Sequence, residues 1–174
     1  MQTPDVHPAL TRDTDHDIAQ QVASLARLLT ANGMWLATAE SCTGGLIAAA
    51  CTALPGSSRW FDRGFVTYSN DAKQQLLGVP ADTLNTFGAV SSETVMAMAF
   101  GALARSKADI AISVSGIAGP DGGSDAKPVG TVWFGLARKG VAVEARVQQF
   151  SGERAAVREQ ALEYALQWLL DSLH

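Results

Sequence analysis

The chain has 174 residues, of which 47% are apolar and 17% charged, and its net charge is −4. That composition suits one domain with a proper core and excludes a disordered chain. It gives no overall attraction to nucleic acid, and no apolar run approaches the roughly 20 residues of a membrane span. Residues Met1 to His16 are polar, with acids and prolines and no basic-then-apolar order, so they do not read as a secretion signal. A cytoplasmic protein with neither membrane nor nucleic-acid partner is expected. The cysteines, Cys42 and Cys51, form no CxxC or Cys/His cluster, so neither a zinc site nor a structural disulfide is expected.

In chain order, residues 1–14 read as a loose leader and residues 15–174 as a single folded domain. Asp15 or Asp17 caps a first helix, with Ile18, Val22, Leu25, Leu28 and Leu29 at helical spacing and Asn32-Gly33 as its stop. Met34 to Ala37 reads as a buried strand, and Leu46 to Leu54 as a helix. Gly64 to Tyr68 is a second strand, and Ser69-Asn70-Asp71 caps a short helix over Ala72 to Leu77. Ser91-Ser92-Glu93 opens a long helix to about Lys107, whose Met96, Met98, Phe100 and Leu103 are expected in the core. Asp109 to Ser115 is a central strand, followed by a Gly-rich loop, Gly116 to Pro128. Gly130 to Ala137 and Val141 to Phe150 form a hairpin, and Ser151-Gly152-Glu153 opens the last helix. This alternation predicts an α/β fold with a mixed sheet covered on both faces. Ligands in such sheets sit beyond the carboxyl ends of strands, where the turns after Ala37, Tyr68 and Ser115 would meet.

The richest stretch for chemistry is TAESCTGG, Thr38 to Gly45, at a strand-to-helix turn. Ser41, Cys42 and Thr43 lie where backbone N–H groups and the helix dipole favour negative charge, as attack on a carbonyl requires. The N–H groups of Thr43, Gly44 and Gly45 are the expected oxyanion donors. The same residues also suit a plain turn in which Ser41 or Thr43 caps the helix. His7, His16 and His174 lie near the termini, which argues against a Ser-His-Asp triad. Lys73, in the first turn of a helix, is the remaining base, because burial and the helix dipole both lower an ammonium pKa. Tyr68 could relay a proton or orient the lysine. For substrate binding the candidates are Asn70, Ser115, Gly116 and Gly119, with Arg63 or Arg154 for a phosphate. A cysteine mechanism, with Cys42 as nucleophile and Glu40 and Lys73 as partners, competes. So does a non-catalytic nucleotide-binding or regulatory module.

TAESCTGG, GSSRWFDRGFVTYSNDAK, GAVS and SVSGIAGPDGGSDAKPVGTVWFG resemble, in this order, the CinA C-terminal domain family, from about Ile18 to the C-terminus. The resemblance implies a three-layer α/β/α sandwich, without the additional N-terminal domain of longer members. It also implies a metal- and cofactor-free amidase, usually homo-oligomeric, that converts nicotinamide mononucleotide to nicotinate mononucleotide and ammonia. Matched motif by motif, Ser41, Tyr68 and Lys73 are its implied catalytic group.

Overall fold

A computed structural model describes residues 12–174. Residues 1–11, most of the expected leader together with His7, lie outside the described part. The first helix, α1, spans Arg12–Ala31 and so starts ahead of Asp15 and Asp17. Its Val22, Leu25 and Leu29 are buried, as their spacing requires, and the chain turns away after Ala31 through Gly33, whose φ of 62° suits a residue without a side chain.

The remaining elements are β1 (Leu36–Glu40), α2 (Leu46–Ala53), β2 (Phe61–Val66), α3 (Asn70–Leu77), α4 (Ala81–Phe87), α5 (Ser92–Ala104), β3 (Ile110–Gly116), β4 (Thr131–Arg138), β5 (Glu144–Gln149) and α6 (Arg154–Ser172). The strands form one mixed sheet in the order β2-β1-β3-β4-β5. β1 runs parallel to both β2 and β3, and β4 and β5 are antiparallel additions.

The two faces of the sheet differ because strand side chains alternate. Leu36, Ile110, Ile112, Val114, Val132, Phe134 and Leu136 point to one face and pack against α1, α2 and α6. Small residues, Ala37, Ala39 and Ala111, point to the other and meet Leu77, Leu84, Met98 and Ala102 of α3, α4 and α5. Small side chains let α5 come close: a Cβ at Gly135 would lie 2.3 Å from the Val95 carbonyl oxygen. The fold is the expected three-layer α/β/α sandwich.

Several boundaries differ from the sequence reading. β1 extends to Glu40 and begins only at Leu36, because the N–H groups of Met34 and Trp35 donate back to Leu29 and the Asp109 carboxylate. β2 begins at Phe61 and stops at Val66, and the Thr67 and Tyr68 carbonyls turn to Lys73 instead. The hairpin strand β5 starts at Glu144, not Val141. α4 was not expected, and α5 ends at Ala104. Phe100 is 61% exposed on the outer side of α5, not in the core, whereas Met98 is fully buried there.

The parallel strands place three connections at one edge of the sheet: residues 41–45 after β1, 67–69 after β2 and 117–130 after β3.

Candidate active site

Ser41, Cys42, Tyr68, Lys73, Ala89, Val90, Ser115, Gly116, Ala118 and Arg154 line a small cavity of about 200 Å³ beyond these strand ends. Lys73 enters it from the first turn of α3, which is capped by the Ser69 hydroxyl accepting from the Ala72 N–H at 3.0 Å. The lysine is 1% exposed. Its Nζ lies 2.9 Å from Ser41 Oγ, 2.9 Å from the Thr67 carbonyl oxygen and 3.3 Å from that of Tyr68. No carboxylate among the described residues forms an ion pair with it. Burial therefore lowers its pKa to about 8, with the nearby Cys42 sulfur acting slightly in the other direction. A neutral amine has two N–H donors and one lone pair. The two carbonyls suit the donors, which leaves the lone pair for the Ser41 hydroxyl.

The turn that carries Ser41 is built around Glu40. This residue is 1% exposed, and its carboxylate accepts from Thr43 Oγ1 at 2.7 Å and from the N–H groups of Gly45, Ile47 and Ala48 at 3.0, 3.1 and 2.9 Å. Neither Ser41 nor Thr43 caps α2; the strand-end carboxylate does so in their place. The Gly44 N–H donates to the Ser41 carbonyl at 3.0 Å. The N–H groups of Gly44 and Gly45 are thus occupied, which corrects their expected role as oxyanion donors, and Thr43, the third expected donor, has its hydroxyl on Glu40 and lines neither this cavity nor the larger one beside it.

Arg158 on α6 holds the same turn from the opposite side, donating through Nε to the Cys42 carbonyl and through Nη2 to that of Thr43, both at 3.1 Å. It also lines a second, larger cavity of about 720 Å³ with Ala118, Gly119, Pro120, Val129 and residues 152–155. Arg154 stands between the two cavities. Its guanidinium donates to the Gly119 carbonyl at 2.9 Å and to the Tyr68 hydroxyl at 2.8 Å.

Other expected residues fall elsewhere. The Tyr68 side chain is 59% exposed and bonded to Arg154, so it meets Lys73 only through its backbone carbonyl. Arg63 sits on β2, bound to Asp62 and to the Arg105 carbonyl, and lines neither cavity. Asn70 opens α3 but also lines neither. Ser115 and Gly116 line the small cavity and Gly119 the large one. Neither His16 nor His174 lines a cavity with Ser41. Burial pushes the Cys42 thiol up to about 11, against its own N–H, Arg158, the Gly116 N–H and Lys73, so it is protonated at neutral pH and a poor nucleophile. Cys51, inside α2, is a buried hydrophobe whose pKa rises to about 12 through burial and the Glu40 charge.

The sequence reading missed the capping role of Glu40, the clamp of Arg158 and the Ala89-Val90 wall. Arg158 was within reach, since it stands one helical turn from Arg154 on the same face.

Residues 18–173 match the CinA C-terminal domain family. The chain is 57% identical over 155 residues to the nicotinamide-nucleotide amidohydrolase PncC of Enterobacter agglomerans, covering 89% of this chain and 93% of that protein. It is 54% identical to the protein of the same name from Escherichia coli K12, covering 90% and 94%. The competence/damage inducible protein CihA of Agrobacterium tumefaciens superposes with a TM-score of 0.87 at 46% identity, covering 90% of this chain and 95% of the other. The chain belongs to the CinA C-terminal domain family.

Proposed function

We propose that the protein is an amidohydrolase that cleaves the carboxamide of nicotinamide mononucleotide, giving nicotinate mononucleotide and ammonia, with Ser41 as nucleophile and Lys73 as its base. The observation that carries this reading is the 2.9 Å contact between Ser41 Oγ and the buried amine of Lys73. The names of the relatives supply the substrate class.

In the proposed reaction neutral Lys73 takes the Ser41 hydroxyl proton as Oγ bonds to the amide carbon, and the carbonyl electron pair moves onto oxygen. The tetrahedral intermediate collapses, the C–N bond breaks, and the Lys73 ammonium gives its proton to the departing nitrogen. Water, deprotonated by the same lysine, then adds to the ester carbon; the C–Oγ bond breaks and the Lys73 ammonium returns its proton to Ser41 Oγ. General-base assistance of this kind contributes about 10²- to 10⁴-fold. The Thr67 and Tyr68 carbonyls orient the amine throughout.

The small cavity takes the pyridine ring and its carboxamide. The larger one takes the ribose and phosphate, beside Arg154 and Arg158. Among the described residues neither guanidinium forms an ion pair with a carboxylate, so both keep charge for an anionic group. Ser115 and Gly116 border the ring, and Gly119 the ribose side. Tyr68 holds Arg154 at the junction of the cavities rather than relaying a proton.

Incubation of the purified protein with nicotinamide mononucleotide tests the reading. Nicotinate mononucleotide and ammonia are expected in equal amounts. Stoichiometric binding with no ammonia would replace it with a non-catalytic binding module.

A further inference from the structure

The first turn of α2 cannot hold an oxyanion, because the N–H groups of Gly45, Ile47 and Ala48 already donate to Glu40. The intermediate on Ser41 still needs donors, and the β1–β3 ladder shows where they are. The Ser41 N–H donates to the Val114 carbonyl. The next rung of a parallel ladder would be the Gly116 N–H donating to the Ser41 carbonyl. That rung is missing: the Ser41 carbonyl accepts instead from the Gly44 N–H, and the pairing of β1 with β3 stops at Glu40 and Val114.

Gly116 faces β4 through the neighbouring rung, where the Ile117 N–H donates to Thr131, so its own N–H points to the β1 side. Among the described residues no oxygen accepts from it, nor from the N–H of Cys42. Both residues line the cavity that contains Ser41 Oγ. The Cys42 nitrogen is bonded to the Ser41 carbonyl carbon, so its N–H lies beside the attacking oxygen by covalent connection.

Resting on the amidase reading above, we propose that the N–H groups of Cys42 and Gly116 form the oxyanion hole for the tetrahedral intermediate on Ser41. Both also act on the Cys42 thiol, where they oppose the rise in its pKa; a thiol sulfur is a weak acceptor, so an oxyanion would be the stronger partner. Gly116 packs closely against β4, since a Cβ there would lie 2.6 Å from Val132 Cγ2 and 2.9 Å from the Thr131 carbonyl oxygen. The turn at Ser41 therefore does two things at once. It draws the Ser41 carbonyl out of the ladder, and it frees the Gly116 N–H on the neighbouring strand.

The test is an amide-to-ester exchange at Gly116 in the full-length chain, which replaces N–H with oxygen and leaves the side chains unchanged. Loss of one such donor should lower kcat by about 100- to 1,000-fold with little change in KM. The same exchange at Gly122, in the exposed loop, serves as control and should leave kcat within a factor of two or so of wild type. An unchanged kcat at Gly116, with wild type turning over, overturns the assignment. Absence of turnover in wild type itself overturns the amidase reading, and the oxyanion hole with it. Should the ester chain fail to fold, amide NMR of wild type with 3-pyridylboronic acid decides. A tetrahedral adduct on Ser41 should move the Cys42 and Gly116 amide protons downfield and leave those of Gly44 and Gly45 in place; the reverse pattern refutes it.

Discussion

Of the helix N-termini that approach the site, those of α2 and α6 are finished in opposite ways. At α2 the chain supplies its own anion: Glu40 takes three backbone N–H groups and the Thr43 hydroxyl. At α6 the first residue outside the helix, Glu153, makes no side-chain cap, and residues 152–155 border the larger cavity together with Arg158. A helix N-terminus attracts negative charge in either case. The difference is in what that attraction is used for. At α2 it locks the turn that carries Ser41, whereas at α6 the Glu153 side chain takes up none of the helix N–H groups, which leaves them open to the phosphate of the proposed substrate.

The largest effect expected from breaking this contrast is at Glu40. Glu40→Ala leaves several buried donors without a partner, each costing about 1–3 kcal/mol. Loss of at least about 3 kcal/mol is expected in urea unfolding. A loss below about 1 kcal/mol would mean that Glu40 does not hold the turn. At the open end, Arg154→Ala should raise KM for nicotinamide mononucleotide by about 10- to 100-fold, the worth of one charged hydrogen bond. The unphosphorylated riboside should be much less affected; equal losses for both would remove the phosphate from this end.

The smallest effect is in pH dependence. With Lys73 at about 8, the neutral base gains population as pH rises, so kcat/KM should climb through pH 7 and level off above about 8. The sign for stability is the same. Lys73 has a folded pKa below its usual 10.5, so the unfolded chain binds the extra proton between about 8 and 10.5 and this group's contribution rises across that window. Lys73→Met should therefore raise Tm at pH 7, where the buried ammonium is a burden, and the gain should shrink towards pH 10.

The order of elements was legible because β-rich runs and caps alternate cleanly, and the Ser69 cap on α3 was readable residue by residue. Ser41 and Lys73 could be paired as chemistry, since both follow parallel strands and the histidines sit near the ends of the chain. Other features depend on distance in space. A glutamate at a strand end gives no sign that it will cap the following helix, because helix caps are normally sought among Ser, Thr, Asp and Asn. Arg63 looked as available as Arg154, but β2 turns it towards Asp62 and Arg105. α4 has a single buried apolar residue, Leu84, too little for a periodic signal. α5 is apolar around its whole circumference, so its pattern could not tell that Phe100 faces out while Met98 faces in.

The most direct test is ammonia release from nicotinamide mononucleotide by wild type, by Ser41→Ala and by Lys73→Met, with iodoacetamide-treated wild type alongside. Release by wild type before and after alkylation, with kcat lowered about 10⁴- to 10⁶-fold in Ser41→Ala and at least about 10²-fold in Lys73→Met, is the expected result. Release that survives in Ser41→Ala but is abolished by iodoacetamide would contradict the account and move the chemistry to Cys42.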